Sequence, residues 1–168
     1  VMTNWRDTPG TRGFLPVAID EARVAALHAG LAAKSASLDD IRLHAGHVLH
    51  ALDPALEPKG PGAGYGVKKA TAGAQQHLDF AAKADGATTI VTTQAADVSS
   101  ALASVLDVLG QAIALAQRIQ SATDLADARR SAADLATLTQ RISNEGLQPA
   151  QTAMNLILKA EGLLGAPR

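Results

Sequence analysis

The chain has 168 residues, a formal net charge of −1 and no cysteine. The length suits one domain with its own core, and the lack of cysteine excludes disulfides, thiolate catalysis, iron–sulfur clusters and covalently attached c-type haem. The balanced charge, without a long Lys or Arg run, gives no electrostatic footprint for nucleic acid or an anionic membrane surface. Apolar residues make up 47% of the chain but aromatic residues only 2%, so the core must consist mainly of Ala, Leu, Val and Ile. We expect an all-α antiparallel helical bundle that forms a single domain over residues 1–168.

The N-terminal segment predicts an irregular arm followed by a first helix. Residues 1–15 mix Pro and Gly with Trp5 and Phe14, whose rings can anchor the arm on the bundle. From about Pro16 to Ser35, Ile and Ala recur at helical spacing. Proline is well tolerated in the first turn of a helix, which supports this start.

A second helix and a long connection follow. Ser37 and Asp40 form a capping-box-like start, and Asp53-Pro54 should end this helix after Leu52. Residues 53–66 are rich in Pro and Gly and predict a partly rigid crossover loop. The loop superficially resembles a phosphate-binding loop, but it lacks the lysine that directly follows the last glycine in a Walker A motif.

The remaining chain predicts four more helices and no strand. Their expected ranges are about Val67–Asp85, Thr88–Gln120, Asp124–Gly146 and Pro149–Leu163. Together with the first two helices they would form two similar helical hairpins and a C-terminal helix pair.

The most apolar long stretch, Val98–Ile119, is interrupted by Asp107, Gln111 and Gln117, so we expect no membrane insertion. The chain begins with Val1 and carries no recognisable signal segment, which we interpret as a mature form of an exported protein. The expected location is therefore periplasmic or secreted.

An internal repeat relates the two predicted hairpins. His28 aligns with His77, and residues 44–52 align with residues 94–102 after one extra residue. Two units of similar design are therefore expected to stand side by side.

Three histidines are predicted to converge across the first hairpin. His28 and His44 each lie eight residues from Ala36 in the turn, so both should be about 12 Å from it along antiparallel helices. His47 lies one turn beyond His44 on the same face. We call His28, His44 and His47 the histidine trio. Converging imidazoles suit Cu(II), Ni(II) or Zn(II), and helical bundles commonly place such sites between facing helices.

Three further residues are candidate ligands. His50 lies about 120° around the helix from His44, so we expect it to hydrogen-bond to a ligand or to bind another ion. His77 stands level with the start of the facing helix, and the repeat puts Asp97 in the position of His47. His77 could form a second site with Asp97, or it could cross the bundle and complete the first site.

The segment from Glu21 to Leu52, EARVAALHAGLAAKSASLDDIRLHAGHVLHAL, resembles the repeated, histidine-decorated helices of the small metal-binding proteins of bacterial periplasms. The stretch from Val67 to Leu102 resembles them less closely. Members of that family form four-helix bundles and bind copper, nickel and zinc, so the resemblance implies a periplasmic metal-binding bundle. This chain differs from the family in having far fewer histidines and two additional helices.

The leading hypothesis is therefore a divalent transition-metal binder that sequesters or delivers its ion through the histidine trio, with His50, His77 and Asp97 as further candidates. One alternative is a non-catalytic structural or protein-interaction bundle without metal. A second is non-covalent haem held by two histidines, which needs a wide apolar pocket that an aromatic-poor chain builds poorly. No nucleophile, base and orienting group occur together, so we expect no enzyme.

Overall fold

The computed structural model describes residues 3–163, and this part of the chain consists of helices and loops without a strand. Six α-helices follow in chain order, preceded by a 3₁₀ turn at Pro9–Thr11. They are α1 Phe14–Lys34, α2 Leu38–Leu52, α3 Val67–Ala82, α4 Thr89–Gln120, α5 Leu125–Arg141 and α6 Gln148–Ala160. The all-α prediction is confirmed. The parts of the predicted arm and domain at residues 1–2 and 164–168 lie outside the described residues.

A tight turn joins α1 and α2 into the predicted hairpin. The backbone N–H of Asp40 donates to the Ser37 hydroxyl oxygen at 3.1 Å, and that hydroxyl donates to the Asp40 carboxylate at 2.7 Å. The first of these bonds satisfies one of the backbone N–H donors that the start of α2 would otherwise leave free. The hairpin therefore holds the register that sets the histidines of α1 against those of α2.

Small side chains build the core and allow the helices to lie close together. α1 is central and packs against α2, α3 and α5, while α4 packs against α2, α3, α5 and α6. The buried residues of all six helices form one continuous cluster, in which α1 contributes Ala18, Ala25 and Ala29 and α2 contributes Ala45. Alanine favours helix and is small, so the helices of this aromatic-poor chain can pack closely.

The long helix α4 is amphipathic. Val98, Leu102 and Leu109 are buried at helical spacing, whereas Asp107 and Gln111 are exposed. By length and composition alone, α4 is the one described helix that could cross a membrane, a test that core helices of globular proteins also pass. The prediction that the chain has no membrane span stays a prediction.

The C-terminal pair differs from the predicted two separate helices. A π-helical segment, Ile142–Leu147, joins α5 to α6, so the helix does not break at Gly146. A methyl group on Gly146 would collide with Val105 of α4. Glycine therefore serves here for close approach between helices. Pro149 lies inside a continuous helix, and the wider turns of the π-helical segment come directly before it.

α3 also ends earlier than predicted, at Ala82 instead of Asp85. The backbone N–H of Lys83 bonds to the Asp79 carbonyl at 3.2 Å, and Gly86 turns the chain with a φ of 81°. Glycine is the residue that adopts this left-handed conformation without strain.

Candidate metal centre

The histidine trio converges in the groove between α1 and α2. Nδ1 of His28 lies 3.1 Å from Nδ1 of His44 and 3.3 Å from Nδ1 of His47. One ring nitrogen from each residue lies within 4.8 Å of the other two, and within residues 3–163 these three form the single group of this kind. The structure thus brings together the three residues that the hairpin register and the three-residue spacing predicted.

The nitrogen separations fit the geometry of a transition-metal ion. With metal–nitrogen bonds of about 2.0–2.1 Å, the edge of a regular tetrahedron is about 3.3–3.4 Å. The two separations from His28 are 3.1 Å and 3.3 Å, close to such edges. The nitrogens of His44 and His47 lie within 4.8 Å of each other, so these two rings would have to move closer together for all three nitrogens to bind one ion.

The surroundings favour the neutral form of two of these imidazoles. The pKa of His28 is lowered from its ordinary value of 6.5 by burial and then by the positive charges that His47 and His44 would carry. The pKa of His47 is also lowered, by burial and by neighbouring His44 and His50, while the Glu57 carboxylate acts in the opposite direction. A neutral imidazole has the free lone pair that metal binding needs.

The trio lies at the edge of the bundle. All three histidines are half-buried, and Leu27 and Leu43, which directly precede His28 and His44 in the chain, expose 61% and 55% of their surface. The half-buried rings leave a route by which an ion could reach them from solution.

His50 is separate from the trio and holds the crossover loop. Its side chain is only 5% exposed, and its Nδ1–H donates to the Glu57 carbonyl at 2.7 Å. Gly60 packs so closely on the ring that a Cβ there would come within 2.6 Å of the His50 Cβ. The sequence predicts that His50 hydrogen-bonds to a ligand or binds another ion; in the structure its Nδ1–H bonds to the backbone of the crossover loop.

Glu21 fixes the other end of the same loop. The sequence alone did not assign this residue to any site. It is 1% exposed, and its Oε1 accepts from the backbone N–H groups of Tyr65 at 2.8 Å and Gly66 at 3.2 Å. Gly62, with a φ of 119°, lies against Oε2, and any side chain there would collide with that oxygen. The glycines of the loop therefore allow the backbone to cover two buried polar side chains.

Glu21 and Glu57 are residues of the crossover-loop contacts that sequence reasoning did not assign. Glu21 lies seven residues, about two turns, before His28 and so shares its face of α1. That shared face was the available signal for Glu21. No comparable signal exists for Glu57, because its position depends on how the loop folds back over α2.

Neither His77 nor Asp97 belongs to the group formed by the histidine trio. The His77 ring stacks on Phe14 with centroids 5.5 Å apart and lies 4.9 Å from the Trp5 ring and 5.9 Å from the Phe80 ring. Asp97 is exposed on α4, and neither residue has a hydrogen bond or ion pair to the other in the described part of the chain. His77 therefore lies outside the trio's group and in contact with aromatic rings, and a second site formed by His77 with Asp97 stays a prediction.

A wide groove lies between α4 and α5 and has a volume of about 540 Å³. It is lined by Gln111, Arg118, Asp134 and Leu138, among others, and by no histidine. The groove therefore offers no counterpart to the predicted haem site, which requires histidines beside a wide apolar pocket.

The comparisons with known proteins add no relative. No protein-family model matches the chain, and no curated protein and no solved structure matches it. The function of this protein is therefore inferred from the site itself.

Proposed function

We propose that this protein binds a divalent transition-metal ion through His28, His44 and His47. The observation that carries the proposal is the convergence of three imidazole nitrogens within 4.8 Å of one another from two helices. Such a set satisfies the ligand preference of zinc, copper and nickel, which imidazole suits well.

The proposed role is to hold or hand over the ion. The ligands lie on two rigid helices joined by a capped turn, so little ordering is needed when the ion binds. Half-buried imidazoles at the edge of the bundle support exchange of the ion with solution or with a carrier. Action in an exported compartment, as the sequence resemblance implies, is part of the same proposal.

Calorimetric titration of the metal-free protein with Zn(II), Cu(II) and Ni(II) tests this proposal. We expect binding with a one-to-one stoichiometry. His28→Ala, His44→Ala and His47→Ala should each weaken the affinity at least about tenfold, because each removes one of three nitrogen ligands.

His77→Ala is the matched control, since it also removes one imidazole but from the aromatic contacts around Trp5. It should leave the metal affinity within about twofold of the wild type. Far-ultraviolet circular dichroism should verify that every variant stays helical. Equal binding by wild type and all three trio variants would refute the proposed site, and no binding by the wild type would favour the metal-free interaction bundle.

A further inference from the structure

We propose that the ion held by the histidine trio keeps one coordination position open, and that an acceptor takes the ion over by ligand exchange at that position. This inference rests on the proposed function and deepens it, because it states how the ion is handed over. A tetrahedral ion has four positions, and three imidazoles fill three of them. The incoming ligand is a nitrogen donor of the acceptor, such as an imidazole, which suits zinc, copper and nickel.

The trio has no fourth ligand of the usual kinds beside it. Within residues 3–163, the group of ligand atoms that lie within 4.8 Å of one another contains the three histidines and no carboxylate. The chain also has no cysteine. In zinc sites with three protein ligands, the fourth position holds water or an incoming ligand. The ligand set of this site is therefore of the open kind.

The acidic residues of α1 are bound elsewhere. The helix contains two, Asp20 and Glu21, and both lie about two turns before His28. Asp20 pairs with Arg12 at 2.5 Å and with Arg23 at 3.2 Å. Glu21 is 1% exposed and accepts two backbone N–H groups of the crossover loop. Neither carboxylate is therefore free to close the site.

The two acidic residues of α2 are also engaged. Asp39 lies five residues before His44, about 140° around the helix, and pairs with Arg42 at 3.3 Å. Asp40 lies one turn before His44, but its Oδ2 accepts from the Ser37 hydroxyl at 2.7 Å, next to the helix cap. Ligation by Asp40 would break this bond, so Asp40 is the rival to test.

The position of the trio suits ligand exchange. All three imidazoles are half-buried, so part of each ring is open to solvent. An acceptor nitrogen that binds before a histidine leaves gives a five-coordinate ion, which zinc sites tolerate. One metal–nitrogen bond then forms as the metal–imidazole bonds break in turn, and the charge of the ion does not change.

The first test titrates the Co(II) form of the protein with azide, a small nitrogen donor, and follows the visible d–d spectrum. We expect a saturable change with one azide per ion. His77→Ala is the matched control and should bind azide within about twofold of the wild type. The variant with all three trio histidines replaced by Ala should show only the spectrum of cobalt and azide in buffer. An unchanged wild-type spectrum at about 100 mM azide would overturn the inference.

Asp40→Asn tests the rival ligand. With an open site, this variant and the wild type should respond to azide alike. A response that appears only in Asp40→Asn would show that Asp40 closes the site, and would overturn the inference. Metal-dependent dimers in analytical ultracentrifugation, together with a silent azide titration, would show that a second copy closes it, with the same consequence.

The second test measures the rate of zinc transfer to the chelator 4-(2-pyridylazo)resorcinol, which binds through nitrogen. Ligand exchange at an open position predicts that a tenfold rise in chelator concentration raises the rate about tenfold. A rate that does not depend on chelator concentration would mean that the ion leaves before the acceptor binds, and would contradict the inference. Failure of the proposed function is distinguishable, because the wild type would then bind neither zinc nor cobalt.

Discussion

Two buried polar side chains, Glu21 and His50, hold the crossover loop against α1 and α2. Oε1 of Glu21 accepts two amide N–H groups of the loop, and Nδ1–H of His50 donates to a loop carbonyl. Such partners offset the cost of burying a polar group, although Oε2 of Glu21 is buried without a hydrogen-bond partner in the described part of the chain. The loop is therefore a folded part of the protein whose position depends on single residues.

Removal of the Glu21 carboxylate should destabilise the fold. In Glu21→Ala the N–H groups of Tyr65 and Gly66 lose their acceptor and a buried space is left, so we expect a loss of about 2–4 kcal/mol in the free energy of unfolding. Urea denaturation measures this quantity. The exposed Glu145→Ala should cost no more than about 0.5 kcal/mol, and equal losses in the two variants would contradict the assigned contacts.

The lowered pKa values of His28 and His47 make the stability of the metal-free protein depend on pH. As the pH falls through 6.5, the unfolded chain takes up protons at these positions while the folded protein does not, so folding loses free energy. Above that pH the folded and unfolded states are both neutral there and no loss occurs.

We therefore expect the wild type to lose more stability than a His28→Ala, His47→Ala double variant between about pH 7.5 and pH 5. Urea denaturation at the two pH values gives the loss in free energy of unfolding for each protein. Subtracting the loss of the double variant from that of the wild type cancels the contributions of other titrating groups. A larger loss in the double variant would show that these pKa values are raised instead.

At the scale of the helices, glycine serves different purposes at positions that look alike in the sequence. Gly110 and Gly146 both lie inside helical segments, but a Cβ on Gly110 would meet nothing within 4 Å, whereas one on Gly146 would collide with Val105. Sequence reasoning placed a helix end at Gly146 because glycine commonly ends helices. The contact with α4 that explains this residue depends on tertiary packing, which local signals do not encode.

This difference predicts opposite effects of alanine at the two positions. Gly110→Ala should stabilise the protein by about 0.5–1 kcal/mol, because alanine loses less backbone entropy in a helix. Gly146→Ala should destabilise it by about 1–3 kcal/mol through overpacking. Thermal unfolding measures both, and stabilisation by Gly146→Ala would show that α4 does not pack closely on the π-helical segment.

At the scale of the whole molecule, the sequence predicted those features that depend on residues close together in the chain. The cap at Ser37 and the end of α2 at Leu52 follow from short-range signals, and the trio follows from helix geometry around a tight turn. The locations of His77 and Glu57 depend on how the arm and the loop fold back on the bundle. Those contacts are long-range, so spacing along the chain could not predict them.

Metal binding should stabilise the whole bundle, because the site joins α1 to α2 and does not exist in the unfolded chain. At a free zinc concentration about 100 times Kd, the expected gain is about 2.7 kcal/mol, which corresponds to a rise in Tm of about 5–10 °C. Differential scanning calorimetry with and without a chelator measures it. A variant with all three trio histidines replaced by Ala should show no rise, and an equal rise in that variant would indicate binding elsewhere.

X-ray absorption at the zinc edge tests the central claim most directly, because it reports the atoms around the ion itself. For the wild type loaded with one equivalent of zinc and then desalted, we predict about three imidazole nitrogens at about 2.0–2.1 Å. The His44→Ala variant should lose one of them. No retained zinc, or a first shell with at most one imidazole, would contradict the assignment of His28, His44 and His47 as a metal centre.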